Sequence, residues 1–317
     1  MLRAADLIPA LAAAVLHGAE PAGVATLAAA PRHLVALDGS RVLACLAANG
    51  LQAVTIDGES ATAAPVLAGT LALHALPLPG ERVLVGTRSG RLALFSTAQW
   101  PELPPIADWP AEGLPTHLAL RGGMLYVASG GDGVIAYRWD AASGAPEVAA
   151  RFPFVDYSKE LAFDSEGRLF LADNRDTGLQ LLEADDPARL GFVRRWTPGD
   201  YVDSVAVAGG FAFAAARRTG VHALDPSWTS LRKGAFLPKT SEESWVSQVA
   251  ATRDGRVVVC EGEGGARLAT FTPVAGWTVL AETGASAQCV VELEGGSLLL
   301  GGADAVLRRW RPGPKPR

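Results

Sequence analysis

The feature that most constrains the fold is a short apolar run that recurs seven times along the chain. These runs, of which RVLACLA is the first, begin at Arg41, Arg82, Met124, Arg168, Phe211, Arg256 and Ser297. Successive starts lie 41, 42, 44, 43, 45 and 41 residues apart. A period of about 40 to 45 residues is typical of four-stranded propeller blades. The repeat therefore predicts seven structural units of one kind in a closed ring.

Each unit shows the same order of apolar runs and glycine-bearing turns. In the second unit, a run that begins at His74 reaches the turn Pro79-Gly80, and the middle run RVLVGTR follows. The turn Ser89-Gly90 then precedes a third run, RLALFST. Runs rich in Val, Leu and aromatic residues between such turns predict antiparallel strands, because glycine permits the positive φ of tight hairpins. A fourth, less regular run, such as PEVAARFPF, forms the outer strand.

The two ends of the repeat array predict how the ring closes. The seventh unit ends with VLRRWRP at residues 306–312 and lacks a fourth run, whereas AGVATLAAA at residues 22–30 precedes the first unit. Pairing these segments removes an exposed sheet edge. The sequence therefore predicts an all-β, seven-bladed β-propeller of four-stranded antiparallel blades over residues 22–312, closed by an N-terminal strand in the last blade. Residues 1–21 are predicted to form a short helix, and residues 313–317 a disordered basic tail.

Composition argues against several classes of function. The formal charge of −5, with no run of Lys and Arg, argues against nucleic acid as a partner. No stretch reaches the roughly 20 apolar residues of a membrane span, so no membrane partner is expected. The chain contains no recognised phosphate loop, nucleophile elbow or local metal-ligand spacing. The sequence therefore predicts no cofactor, no metal and no catalytic residue.

The cysteines bear on the compartment. Cys45, Cys260 and Cys289 all lie in apolar runs, and their odd number at such positions indicates buried thiols rather than a disulfide framework. A reducing compartment is thus favoured, and we expect a cytoplasmic protein. Export is the alternative, because the apolar stretch from Leu7 to Leu16 is similar to a short signal segment and would require cleavage near Ala19.

Two segments resemble LVIVD-type propeller repeats, in which a glycine-led strand ends in an acidic residue and is followed by proline. They are SGGDGVIAYRWDAASGAPEVAARF at residues 129–152 and ADNRDTGLQLLEADDPARLGFVRRW at residues 172–196. The resemblance extends over nearly the whole chain after Ala22. WD-repeat proteins are more distantly similar, since Trp139-Asp140 is the only WD dipeptide. The resemblance implies the propeller fold and carries over no catalytic residue.

A histidine leads the inner strand in each of the first three units. Counting back from the middle runs gives the candidate channel-mouth residues His33, His74, His117, Glu160 and Asp203, followed by Gln248 and Cys289 in the last two units. In a seven-fold ring, these side chains should surround one mouth of the central channel. Two interpretations stay open: hydrogen bonds to the next blade, or a polar funnel that holds a cation or a small polar ligand.

The same end of the ring should carry the turns between the middle and third strands, together with the loops that lead into the inner strands, which include Lys159. Candidate partner-binding residues at this end are Tyr157, Arg175, Tyr201, Arg217, Arg218 and Trp245. Tyr, Trp and Arg supply most of the binding energy of protein interfaces. The alternative is an ordinary solvated loop surface.

These patterns favour a non-catalytic platform for protein–protein interaction, or a subunit of a bacterial assembly, whose partner is another protein. A metal-dependent propeller hydrolase of the lactonase type, with its site at the channel mouth, is the alternative function. Its metal would be held by the histidines together with Glu160 and Asp203.

Overall fold

The computed structural model describes residues 21–139, 144–174, 178–184, 189–225 and 235–313. These residues form seven four-stranded sheets in which every neighbouring pair of strands is antiparallel. The predicted all-β propeller of seven blades is therefore confirmed. The helix predicted in residues 1–21 and the tail predicted in residues 313–317 lie outside the described residues, apart from residues 21 and 313.

The blades follow one another along the chain. Strand β1 (Ala22–Thr26) comes first and belongs to the last blade. Blade 1 contains β2 (His33–Ala36), β3 (Arg41–Cys45), β4 (Leu51–Asp57) and β5 (Ser60–Ala63). Blade 2 contains β6 (Ala72–Leu78), β7 (Arg82–Thr87), β8 (Arg91–Ser96) and β9 (Pro105–Pro110). Blade 3 contains β10 (His117–Arg121), β11 (Met124–Ala128), β12 (Val134–Arg138) and β13 (Glu147–Phe152).

The remaining blades have the same order of strands. Blade 4 contains β14 (Ser158–Phe163), β15 (Leu169–Asp173), β16 (Gly178–Glu183) and β17 (Gly191–Trp196). Blade 5 contains β18 (Val202–Ala208), β19 (Phe211–Ala216), β20 (Gly220–Leu224) and β21 (Phe236–Pro238). Blade 6 contains β22 (Gln248–Ala251), β23 (Val257–Cys260), β24 (Ala266–Thr272) and β25 (Gly276–Thr283). Blade 7 contains β26 (Cys289–Glu292), β27 (Leu298–Gly301) and β28 (Val306–Trp310). Three short 3-10 helices lie at Ala47–Asn49, Ala68–Thr70 and Glu294–Gly296.

Glycine pairs close two of the inner hairpins with the shortest possible loop. Arg121 pairs with Met124 around Gly122-Gly123, whose φ angles are 57° and 76°. The loop Gly209-Gly210 in blade 5 is equally short, with φ angles of 57° and 82°. Positive φ at both central residues matches the twist of antiparallel strands, and glycine adopts it without steric cost. These two hairpins are therefore one residue shorter than the Pro79–Glu81 turn of blade 2.

Ring closure occurs as the sequence predicts. Strand β1 pairs antiparallel with β28, from Ala22 opposite Arg309 to Thr26 opposite Val306. The N–H of Leu27 then donates to the carbonyl oxygen of Ala305 at 2.8 Å. Leu27 is buried with Leu307 in a core shared by blades 7 and 1. The first strand thus completes the last blade and also packs against the first.

The hydrophobic cores lie between adjacent blades. Most of the core clusters combine residues from two neighbouring sheets, as in the cluster of blades 2 and 3 around Leu84, Leu125 and Val127. Because each blade buries its faces against its neighbours, the ring holds the turns at its two ends at fixed separations. In the described part of the chain, no helix is both long enough and apolar enough to cross a membrane.

Candidate functional site

One end of the central channel forms a cavity of about 380 Å³, which we call the channel mouth. All five channel-mouth residues predicted from the sequence line it: His33, His74, His117, Glu160 and Asp203. Two predicted partner-binding residues, Arg217 and Trp245, line the same cavity. The structure thus brings the five predicted channel-mouth residues and these two partner-binding residues to one end of the ring.

The innermost strand of each blade has one equivalent position near its start, and we call these seven positions the inner ring. Strand pairing decides which residue of each strand takes this position. His74 and Glu160 both follow a one-residue bulge at the start of their strands. In blade 5 the bulged residue is Asp203, and Ser204 takes the equivalent position opposite Ala215. The count that placed Asp203 in the ring was one residue off, because the Gly-Gly turn of blade 5 is shorter than the turn of blade 2. Asp203 reaches the cavity from the bulge instead.

The three histidines form a stack. The His74 ring lies between the other two, with centroid distances of 4.1 Å to His33 and 3.9 Å to His117. Burial lowers the pKa of His33 to about 4, and the nearby Arg32 charge acts in the same direction. Burial, followed by the charge of His33, lowers the pKa of His117 to about 3. Burial and both neighbouring rings hold the pKa of His74 well below its usual range. At neutral pH the stack is therefore uncharged.

Residues of the inner ring accept hydrogen bonds from main-chain atoms of the next blade. Nδ1 of His74 accepts a hydrogen bond from the N–H of Leu118 at 3.3 Å. Two other ring residues make the same kind of contact: Ser204 Oγ accepts from the N–H of Val249 at 3.1 Å, and Gln248 Oε1 accepts from the N–H of Val290 at 2.8 Å. Nδ1 of His33 and Nδ1 of His117 are buried and have no hydrogen-bond partner among the described residues. These contacts favour the structural interpretation for three ring positions.

A charged network occupies the mouth beside the histidines. The carboxylate of Asp203 binds Lys159 Nζ at 2.5 Å and Arg217 Nε at 2.7 Å. Asn174 Nδ2 also donates to it. Burial alone would raise the pKa of Asp203, but the charge of Lys159 and the hydrogen bonds from both cations outweigh burial and lower it. Asp203 is thus an ionised carboxylate whose oxygens are already occupied by cations.

Glu160 differs from Asp203 in its protonation. Burial raises the pKa of Glu160 to about 8, against the opposing effects of a hydrogen bond to Ser204 and the charge of Lys159. At neutral pH most Glu160 side chains therefore hold their proton. A protonated carboxyl is a poor metal ligand and a poor general base.

The three histidines are the only group of candidate metal ligands found among the described residues. One ring nitrogen of each lies within 4.8 Å of the others. In a tetrahedral zinc site with Zn–N distances of about 2.0–2.1 Å, the ring centroids would stand about 5 Å apart. His74 is closer than this to both neighbours, and its Nδ1 already accepts a hydrogen bond. The arrangement therefore fits a group of packed, neutral rings that is tied to the next blade through His74 better than a metal centre.

Four of the six predicted partner-binding residues, Tyr201, Arg217, Arg218 and Trp245, lie close together at the edge of the mouth, which we call the rim. The guanidinium groups of Arg217 and Arg218 lie 5.2 and 5.8 Å from the centroid of the Tyr201 ring. Arg218 also pairs with the buried Asp200 at 3.2 Å, while its own side chain is 70% exposed. Trp245 is 54% exposed, and the N–H of the next residue donates to the carbonyl oxygen of Arg217 at 2.9 Å.

One predicted partner-binding residue, Tyr157, lies apart from this cluster. Tyr157 is half-buried at the junction of blades 3 and 4, where a Cβ at Gly130 would lie 3.3 Å from its ring. Arg175 lies outside the described residues.

Sequence reasoning missed Arg32, which lines the mouth and directly precedes the first ring histidine. It placed Lys159 at this end of the ring but did not predict its contact with Asp203. Lys159 occupies the bulge of β14, which turns it toward Asp203. A bulge leaves no clear mark in an alternating strand pattern, so its position was not predictable. Arg32 could have been found, because it adjoins a histidine that the repeat had already identified.

Comparisons with known proteins identify the fold. No protein-family model and no curated protein matches the chain. Among solved structures, the WD40 repeats of RRP9 are 14% identical, with a TM-score of 0.72 over 93% of this chain and 98% of that chain. The chain is a seven-bladed β-propeller.

Two further solved structures show the range of proteins that share this fold. A chain of a mitotic checkpoint complex is 14% identical, with a TM-score of 0.68 over 92% of this chain and 90% of that chain. Streptogramin B lyase is 9% identical, with a TM-score of 0.70 over 93% and 97%. Since similar rings occur in an assembly and in an enzyme, the function of this propeller has to be argued from its own site.

Proposed function

We propose that this propeller is a non-catalytic platform for protein–protein interaction, a subunit of a bacterial assembly that binds its partner at the rim of the channel mouth. The observation that carries the proposal is the exposed Trp245 at the edge of a cavity shared with Arg217. Arg217, Arg218 and the Tyr201 ring form a contiguous cluster on the same rim. Trp, Tyr and Arg dominate the binding energy of protein interfaces.

The rim residues are suited to binding because neighbouring groups hold them in place although they are not buried in the hydrophobic core. The carboxylate of Asp200 accepts hydrogen bonds from the main-chain N–H groups of Tyr201 and Thr219 at 2.8 and 3.1 Å. These bonds hold the loop in place even when the Arg218 side chain moves toward a partner. Little ordering entropy is then lost on association. The fold-level similarity to the WD40 repeats of RRP9 and to a chain of a mitotic checkpoint complex supports this role by analogy.

We also propose that the repeats are of the LVIVD type and that the protein is cytoplasmic. The residue pattern at 172–196, in which a run led by Gly178 ends in an acidic residue and is followed by a proline, supports LVIVD-type repeats within the propeller class. The three cysteines are buried and unpaired, and burial raises the pKa of Cys45 to about 12. Such thiols suit a reducing compartment, so the proposed location is the cytoplasm.

Photocrosslinking tests the proposed docking face. A benzoylphenylalanine residue replaces Trp245 in one variant and Arg253 in the control, and both proteins are irradiated in the host cell. Arg253 is exposed in the turn between β22 and β23, at the opposite end of the ring. A discrete adduct with one protein from position 245, and none from position 253, supports the proposal. Adducts from position 253 alone would place the interface on the other face.

The second candidate function is a metal-dependent hydrolase, favoured by the three ring nitrogens within 4.8 Å of one another. It ranks second because Asp203 is bound by two cations and Glu160 is mostly protonated, so neither described carboxyl group that lines the mouth is free to act as a base. Metal analysis of protein purified without chelator tests it. Stoichiometric zinc, lost in His33→Ala, would favour the hydrolase.

A further inference from the structure

The balance of charge in the channel mouth is positive. The cations among the described residues that line the cavity are Arg32 directly before blade 1, Lys159 in blade 4 and Arg217 in blade 5. The same described residues include one ionised carboxylate, Asp203, which leaves a surplus of two positive charges among them. Glu160 does not change this count at neutral pH, because burial raises its pKa to about 8.

The hydrogen-bonding groups in the mouth are mainly donors. The side chain of Arg32 is exposed in the cavity, and among the described residues its guanidinium has no hydrogen-bond or ion-pair partner. Gln248 uses its amide oxygen to accept from Val290, which leaves its NH₂ group as a donor. Because Nδ1 of His74 accepts from Leu118, the neutral ring carries its proton on Nε2. A ligand for this cavity therefore has to supply acceptors.

The cavity has room for a ligand group. Its volume of about 380 Å³ lies within the range of about 300 to 1,000 Å³ usual for small-molecule sites. The planar guanidinium of arginine can donate two parallel hydrogen bonds to the two oxygens of a carboxylate. The positive surplus disfavours a metal ion for the same reason that it favours an anion.

We propose that the channel mouth binds a carboxylate group through Arg32, with Lys159, Arg217 and the amide of Gln248 on the facing side of the cavity. The carboxylate comes either from an acidic segment of the docking partner or from a free organic acid. In the first case the inference rests on the proposed function, and the acidic segment enters the channel while Trp245 contacts the partner at the rim.

The test uses purified protein and two carboxylate probes at low ionic strength. Citrate represents a free acid, and a fluorescent hexaglutamate peptide represents an acidic segment, with hexaglutamine as its uncharged counterpart. Binding is measured by calorimetry and by fluorescence anisotropy for wild type, Arg32→Gln and the control Arg253→Gln. Arg253 carries the same charge at the opposite end of the ring, so its variant removes an equal amount of net charge.

At least one carboxylate probe is expected to bind wild type and Arg253→Gln equally and Arg32→Gln at least tenfold more weakly, while hexaglutamine does not bind. Hexaglutamate without citrate binding identifies an acidic segment as the ligand, and citrate without hexaglutamate binding identifies a free acid. No saturable binding of either probe, or equal binding to Arg32→Gln, overturns the inference. Crosslinking at position 245 is independent of both probes, so the docking proposal and this inference can fail separately.

Discussion

The main-chain N–H of Leu118 donates a hydrogen bond to Nδ1 of His74, 3.3 Å away in the preceding blade. Ser204 and Gln248 make the equivalent contact to Val249 and Val290. The inner ring thus ties neighbouring blades together, and the same residues or their neighbours line the channel mouth. The repeated histidine therefore has a structural role in at least one blade and lines the channel mouth as well.

The His74→Ala variant should lose more stability than His33→Ala. Removing the His74 ring leaves the buried N–H of Leu118 without an acceptor. Nδ1 of His33 has no hydrogen-bond partner among the described residues, so its removal leaves no donor unsatisfied. An unsatisfied buried donor costs about 1–3 kcal/mol. Urea denaturation should therefore show His74→Ala to be at least about 1 kcal/mol less stable than His33→Ala. Equal losses of unfolding free energy would mean that the packing of the imidazole rings, and not the hydrogen bond to Leu118, accounts for the effect.

Gly265 lies in the turn between β23 and β24, where the end of the outer strand β25 comes so close that only glycine fits. A Cβ at this position would lie 1.8 Å from the carbonyl oxygen of Thr283, and φ is 89°. At Gly255, φ is 81°, but nothing lies within 4 Å of a Cβ. Gly255→Ala should therefore cost only the strain of positive φ, about 1–3 kcal/mol. Gly265→Ala should destabilise more, as measured by thermal unfolding, and equal melting temperatures would argue against the close approach.

Leu27 should be necessary for ring closure. It is 5% exposed in the core between blades 7 and 1, whereas Leu120 is 42% exposed in blade 3. Leu27→Ala should lower the free energy of unfolding by about 2–5 kcal/mol, the usual range for a buried leucine. The matched change Leu120→Ala should stay within about 0.5 kcal/mol of wild type. Similar effects of the two substitutions on chemical denaturation would contradict closure by the N-terminal segment.

Glu160→Gln should alter the pH dependence of stability. The pKa of Glu160 is about 8 in the folded protein, compared with its usual value of 4.5. Between these values the folded state keeps a proton that the unfolded state has released, so wild-type stability falls as the pH rises from 4.5 to 8. The variant lacks this loss. Relative to wild type it should gain at least about 1.4 kcal/mol between pH 5 and pH 8.5, the equivalent of one pKa unit. Parallel stability curves would show that Glu160 titrates normally.

The sequence predicts the ring well because each blade repeats the same local signals. Glycine pairs such as Gly122-Gly123 specify short hairpins, and the unpaired ends of the array specify how the ring closes. The candidate site is predicted less completely. The repeat places His33, His74, His117 and Glu160 in the ring, but the shorter turn at Gly209-Gly210 shifts the fifth position from Asp203 to Ser204. The Lys159–Asp203 pair depends on two strand bulges, which side-chain packing decides and periodicity does not show.

The most direct test of the account is the affinity of the crosslinked partner for a variant that lacks the rim cluster. The variant combines Tyr201→Ala, Arg218→Ala and Trp245→Ala, and Arg253→Ala serves as the control on the opposite face. Because the rim side chains are partly or largely exposed, both proteins should melt close to the wild-type temperature. The rim variant should bind the partner at least about tenfold more weakly, equivalent to 1.4 kcal/mol, and the control should bind as wild type does. Full binding by the rim variant, together with loss of binding by Arg253→Ala, would contradict the assignment of the channel-mouth rim as the docking face.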